Sequence, residues 1–302
     1  MELIDIFKRR TRSPLRPRAG DIISHIFPNF RQHPPHGGSL ILGEAERWGK
    51  HLFLIGQQKP KPEDLRTAQD LEKLNYGMLT AQEHSSIIRF IKNAVGKGVE
   101  NSMMITLIDT YGADISMESA RDFQAFFIAH LIKMFLELQM PSISVIIGEG
   151  GSGGALAIQV TDRRAQLDDA LYATAPPESM AAIVFRDPTK IQEALEILKP
   201  TAPELRKLDV IDNIIPSPKT VSDVDGFSKN IAAYLERTTK ELSRVKLDRL
   251  LRERGERARS YGLPKDQTFN LMKFLLPTPL KKKREEPPPD LKILSYREVF
   301  IQ

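Results

Sequence analysis

The chain has 302 residues, 41% of them hydrophobic and 27% charged, which suits one large domain or two small ones with a well-buried core. It contains no cysteine, which excludes disulfides, thiolate zinc sites and a cysteine nucleophile. No run of eighteen apolar residues suggests a membrane span, and the start "MELIDIFKRRTRSPLRPR" lacks the apolar block of a secretory signal, so the sequence reads as cytoplasmic.

The formal charge of +5 gathers at the two ends. Lys8, Arg9, Arg10, Arg12, Arg16 and Arg18 open the chain, and "SRVKLDRLLRERGERARS" and "LKKKREE" lie near its finish. Acidic residues are interleaved and stacking aromatics are few, so these runs read as solvated helix faces and tails rather than nucleic-acid or membrane surfaces. The close pair in "HPPHGG" (His33, His36) is a poor metal site without further ligands.

In chain order, residues 1–40 form an irregular or helical arm punctuated by proline and glycine. "HLFLIG" (His51–Gly56) is short, apolar and closed by glycine, as a strand is. After a polar, proline-containing connection, Thr80 opens a helix with the capping pattern T-x-x-E, which ends near Gly96–Gly98. "SMMITLID" (Ser102–Asp109) is a buried strand. A helix over about Ser119–Leu138 carries "FFIAHLIKMFLEL", too apolar all round for a free surface, so it is expected deep in the core or at a subunit interface. The strand "SISVIIG", a glycine turn, a helix through Val160 and the strand "ALYATA" come next. "PPESMAAIVF", "PTKIQEALEIL" and "APELRKLDVIDNIIP" supply three helices, the last passing into a short strand. A long basic amphipathic helix spans about 221–262, and a proline-rich, basic tail fills 263–302. Strands alternating with helices indicate an α/β fold with a largely parallel sheet over 41–220.

The glycine turn "GEGGSGG" (Gly148–Gly154) fits several templates. Gly148, Gly150 and Gly153 match G-x-G-x-x-G with Asp168 about twenty residues on, but Asp168 precedes a strand where the ribose-binding acid should come after one. Gly150, Ser152 and Gly154 match the G-x-S-x-G nucleophile elbow, yet every histidine lies before Ser152, against the order Ser, acid, His. A phosphate loop would need G-K-[ST], which is missing. Two readings remain. Glycine lets consecutive backbone N–H groups face an anion at a helix N-terminus, or it serves only a tight strand-helix crossing.

The segment "PSISVIIGEGGSGGALAI" resembles the signature of carboxyltransferase α subunits of bacterial acetyl-CoA carboxylase, in the crotonase superfamily. "LIGQQK", "LNYGM", "LIDTYGA" and "LKPTAPELRKLDVIDNIIP" resemble that family's other motifs, in order and at compatible spacing over about residues 20–220. The resemblance implies a crotonase-like core of repeated ββα units, flanked here by the N-terminal arm and long C-terminal helix. It implies transfer of a carboxyl group from carboxybiotin, held on the biotin carboxyl carrier protein, to acetyl-CoA to give malonyl-CoA. It also implies a hetero-oligomer with a β subunit that supplies the zinc and the acyl-CoA side.

By the same resemblance, the amides around Gly153, Gly154 and Ala155 hold the biotin oxyanion, Gly150 and Gly151 shape the turn, and Gly112 and Ala113 form the opposing wall of the biotin pocket. Gly154→Val is then expected to obstruct the amides while leaving the fold intact. The loop "DTYGADIS" departs from the family's D-T-P-G-A-Y-P-G, and "PPES" and "RKLD" depart from S-P-E-G and K-x-L-G. Asp114 in particular brings a negative charge near a site built for anions. The alternatives are a non-catalytic scaffold paralogue and a crotonase-type decarboxylase of malonyl thioesters.

Overall fold

A computed structural model describes residues 3–35, 38–61, 63, 67, 70, 74–98 and 101–261. A helical turn, Leu3–Asp5, runs into a π-helical segment, Ile6–Thr11, and then into helix α1, Ala19–Ile26. Strands β1 (Arg31–His33), β2 (Leu40–Arg47) and β3 (Lys50–Gln57) form an antiparallel meander. Helix α2, Ala81–Gly96, begins at the predicted capping box: Thr80 accepts from the Glu83 N–H, and the Thr80 N–H donates to Glu83 Oε2 at 2.8 Å. Next are strand β4 (Ser102–Thr110), helices α3 (Met117–Arg121) and α4 (Gln124–Leu136), and strand β5 (Ser142–Gly151).

Helix α5 is a short turn, Ser152–Leu156; β6 (Arg163–Leu167) and β7 (Leu171–Ala173) come next. Helices α6 (Pro177–Phe185), α7 (Ile191–Leu198) and α8 (Ala202–Lys207) lead to β8 (Asn213–Ile215), and α9 (Val224–Leu242) and α10 (Leu247–Ser260) complete the described chain.

The eight strands make one sheet in the order β1-β2-β3-β4-β5-β6-β8, with β7 pairing the end of β5. From β3 onward all pairings are parallel. Every residue of β5 and all but the first of β4 are buried. Unbroken aliphatic and β-branched runs suit strands covered on both faces by helices. The described residues up to Arg259 gather into one compact unit, while the predicted tail 263–302 lies outside the described residues.

Three expectations change. The helix over 119–138 is two helices, because Phe123 takes a left-handed conformation (φ 64°) as N-cap of α4. Leu131 and Phe135 are fully buried, but Phe123 and Phe126, at the start of the helix, are 70% and 61% exposed. The helix over 221–262 is also two, parted at 243–246, where Ser243 Oγ donates back to the Thr239 carbonyl at 2.7 Å, a bond that competes with helix continuation. Strands β1, β2 and β6 lie where no strand was expected. β6 reads "RRAQL", yet its Gln166 is buried and donates to the Ala170 and Pro200 carbonyls.

The basic runs are not simply solvated either. Arg10 and Arg16 converge on Asp169, Arg12 on Glu149 and Arg18 on Asp109, with Arg16 and Arg18 only 2% and 5% exposed. In α10, buried Arg254 donates to both Asp162 oxygens and to the carbonyls of Phe135, Leu138 and Met140. All five of its N–H donors are thereby used. These partners lie far apart along the chain, so local charge patterning carries no sign of them.

Candidate active site

Strands β4 and β5 run side by side and end together, and their loops form the site. Register is regular to Ile108↔Ile146 and then jumps to Thr110↔Gly150, so β5 spends four residues where β4 spends two. The Asp109 carboxylate fills this bulge and accepts the Glu149 N–H at 2.9 Å. Gly148 makes room for it, since a Cβ there would lie 2.4 Å from Asp109 Oδ1. Bulges of this kind bend a strand and re-aim the residues beyond them.

Beyond this bulge the two loops pack directly against each other. A Cβ on Gly151 would fall 1.9 Å from the Tyr111 carbonyl oxygen, and one on Gly154 would fall 2.4 Å from the Gly112 carbonyl carbon. Gly150 likewise admits the Tyr172 ring. The tight-crossing reading therefore accounts for Gly148, Gly150, Gly151 and Gly154. Gly153 alone in the turn has room, its nearest neighbour being Ile128 at 3.6 Å. A valine at Gly154 would strike the Gly112–Ala113 backbone, which corrects the expectation that it leaves the fold undisturbed.

Helix α5 starts at Ser152 with Gly151 as N-cap and no side-chain cap. The N–H groups of a first helical turn have no intrahelical partner and carry the positive end of the dipole. Gly153 is partly exposed here, whereas Gly154 and Ala155 are buried behind it. Across from them, the buried Gly112 N–H donates to Thr110 Oγ1 at 3.1 Å, and Ala113 is partly exposed.

A cavity of about 620 Å³ opens between these loops, with Tyr111, Gly112 and Ala113 on one wall, Ile128 on another, and Ser152 with Gly153 at the turn. Residues 174–176 and Ser179 close the far side. A second cavity of about 330 Å³ lies against the same Ser152 and Gly153, lined by Leu156, Tyr172, Leu198 and Leu205. Of the predicted site residues, Gly112, Ala113 and Gly153 line the larger cavity; Gly150, Gly151, Gly154 and Ala155 stand behind its surface. Ser152 has the strained positive φ (51°) of an elbow residue, but among the described residues no histidine lines either cavity.

Asp114 does not stand as a free charge at the cavity edge. Its carboxylate accepts from the Ser116 N–H (2.9 Å), Ser116 Oγ (2.7 Å) and Ser119 Oγ (2.5 Å), ordering the loop into α3. Burial pushes its pKa up, but the bonds from Ser119 and Ser116 outweigh this and hold it below the usual carboxylate value.

Behind the turn lies an ion network that sequence reading missed. Lys59 Nζ sits 2.6 Å from Glu149 and 3.4 Å from Asp109; Arg12 grips Glu149 through two bonds of 2.8 and 2.9 Å; Arg18 reaches Asp109 at 3.1 Å. Burial works against charge on Arg12, Lys59, Asp109 and Glu149. For Asp109 and Glu149 it is outweighed by Lys59 and the arginines, so both pKa values fall; for Lys59 it is outweighed by the two carboxylates, so its pKa rises. The Lys59 ammonium and the Arg12 guanidinium also lie 4.0 and 4.7 Å from the Tyr111 ring centroid. The network thus fixes the roots of both loops.

This architecture, a largely parallel sheet that delivers two close-packed loops to one cavity, is a crotonase-like α/β fold shared with solved structures. The Pseudomonas malonate decarboxylase hetero-tetramer solved with coenzyme A shares it, with a TM-score of 0.63 at 15% identity over 80% of this chain and 97% of that one. Transcarboxylase 12S shares it with a TM-score of 0.59 at 17% identity over 78% of this chain and 44% of that one.

The chain belongs to the acetyl co-enzyme A carboxylase carboxyltransferase-like family, whose model matches residues 7–262. It is similar to the acetyl-coenzyme A carboxylase carboxyl transferase α subunits of Cyanidioschyzon merolae and Thermus thermophilus. The first is 36% identical over 258 residues, covering 83% of this chain and 81% of the relative; the second is 34% identical over 260 residues, covering 83% and 80%.

Proposed function

We propose that the chain is the α subunit of a biotin-dependent carboxyltransferase that converts acetyl-CoA to malonyl-CoA together with a β subunit. The observation that carries this reading is the cavity of about 620 Å³ fronted by Gly153 at the uncapped start of α5. Carboxybiotin, presented by its carrier protein, supplies the carboxyl group. Loss of that group leaves negative charge on a ureido oxygen, and in this reading the Gly153 N–H and the start of α5 stabilise it. Gly112 and Ala113 hold the opposite wall at the spacing their contact with Gly154 sets. Gly150 and Gly151 shape the turn, and Gly154 and Ala155 anchor it from behind. No side-chain base of this chain is required.

The acyl-CoA half of the site and the zinc belong to the β subunit in this reading. The mouth of the cavity suits such a partner: the lining residues Ile115, Phe123 and Phe126 are 90%, 70% and 61% exposed. Grouped apolar exposure of this kind marks an interaction face.

The test is decarboxylation of malonyl-CoA to acetyl-CoA by the reconstituted α–β complex with added biocytin. Turnover that rises saturably with biocytin is expected. Biocytin-independent turnover would indicate a thioester decarboxylase, and an assembled complex without turnover would indicate a scaffold.

A further inference from the structure

We propose that Arg12, from the N-terminal arm, is the positioning residue that fixes the width of the cavity; the inference rests on the carboxyltransferase reading of that cavity. Arg12 does not line it. Its guanidinium instead touches one group from each of three segments that do.

Glu149, held by two bonds, lies directly before Gly150–Gly151–Ser152 and sets the turn. Tyr111, under the guanidinium at 4.7 Å, belongs to the front wall. Glu178, ion-paired with Arg12, lies between Pro176 and Ser179, both on the far wall.

The guanidinium also lies 4.2 Å from the Phe7 ring centroid, but the arm has anchors of its own. Phe7 is buried against Leu171 and Leu195, and Thr11 Oγ1 donates to the Asp169 carbonyl at 2.7 Å. Arg12 therefore projects from a fixed base.

Lys59 shares two of the three tasks, since it pairs with Glu149 and lies over Tyr111. Among the described residues only Arg12 reaches Glu178 as well. Removing the Arg12 charge leaves Glu149 compensated by Lys59, so the buried network keeps a counter-ion while the far wall is released. Lysine at position 12 substitutes only in part, because a single ammonium lacks the planar fork that grips one carboxylate through two bonds and still reaches a second.

The experiment compares Arg12→Gln, Arg12→Lys and Glu178→Gln in the α–β complex by hydrogen exchange and by steady-state kinetics. Arg12→Gln is expected to speed amide exchange in residues 174–180 and, less strongly, in 110–116. It should lower kcat/KM for biocytin by about 10²-fold, the scale of a displacement near 1 Å, while KM for malonyl-CoA stays unchanged. Arg12→Lys should fall between, and Glu178→Gln should loosen 174–180 alone.

Unchanged exchange in 174–180 for both Arg12→Gln and Glu178→Gln, or equal rises in both KM values, would overturn the proposal. If Arg12→Gln does not fold, Arg12→Lys and Glu178→Gln decide by the same two measurements. Failure of the carboxyltransferase reading would show separately, as a wild-type complex without biocytin-dependent turnover, and the exchange data would still decide the role of Arg12.

Discussion

Replacing Gly154 with alanine asks how tightly the two loops must meet. The new Cβ would stand 2.4 Å from the Gly112 carbonyl carbon, 2.5 Å from its oxygen and 2.6 Å from the Ala113 nitrogen. Ordinary contact needs about 3.4 Å or more, so the 112–113 wall or the α5 start must move by about 1 Å. A shift of that size at a reacting centre costs roughly 10²-fold in rate, or about 2.7 kcal/mol of barrier. Stability should change less, because overpacking of about 1–3 kcal/mol is partly offset by about 1 kcal/mol of helix propensity gained over glycine.

Gly153→Ala is the matched control for stability: its Cβ would meet Ile128 at 3.6 Å, so nothing has to move. The assay is biocytin-dependent malonyl-CoA decarboxylation by each α–β complex, alongside urea unfolding. A folded Gly154→Ala complex with wild-type kcat would refute the reasoning.

The buried charges and the exposed face yield further expected outcomes. Lys59→Met removes the cation that Asp109 and Glu149 share while leaving them Arg18 and Arg12, and should destabilise the fold by about 1.5–3 kcal/mol, read as a lowered urea midpoint. Arg254→Ala takes the guanidinium from buried Asp162, leaving it the Ser142 N–H and Oγ, removes a donor from three carbonyls, and should cost about 3–5 kcal/mol by the urea midpoint. Burial holds the His84 pKa below its ordinary value, so below about pH 6.5 the unfolded chain takes the proton first. Stability should fall as pH drops from 6.5 toward the folded pKa of His84, and His84→Gln should flatten that slope. Asp109 and Glu149, whose folded pKa values are depressed, should add a second loss as pH falls below about 4. Phe126→Asp should weaken association with the β subunit in size-exclusion chromatography while leaving the isolated chain folded, because that ring is already exposed.

The parts of the fold that could be read in the sequence are those whose cause is local. β4 and β5 announce themselves by short runs rich in aliphatic residues, and α2 by the capping box at Thr80. The glycine turn is equally visible, but its division of labour is not: whether Gly154 or Gly153 needs its bareness depends on Gly112, some forty positions away, and the bulge at Asp109 decides that approach. β6 was hidden because arginine and glutamine do not look like a buried strand, and the Gln166 Nε2 donors find acceptors only in carbonyls brought up from Ala170 and Pro200. Arg12, Arg16 and Arg18 looked like a solvated basic arm because their counter-ions lie in β4, in β5 and just after β6. Charge counted along the chain cannot show which charges fold inward.

The most direct measurement is a crystal structure of the α–β complex soaked with biocytin. The ureido oxygen is predicted to lie about 2.7–3.2 Å from the Gly153 nitrogen, with the ring against Gly112 and Ala113. A ureido ring bound elsewhere, with the Gly153 N–H facing only water or protein, would contradict the account.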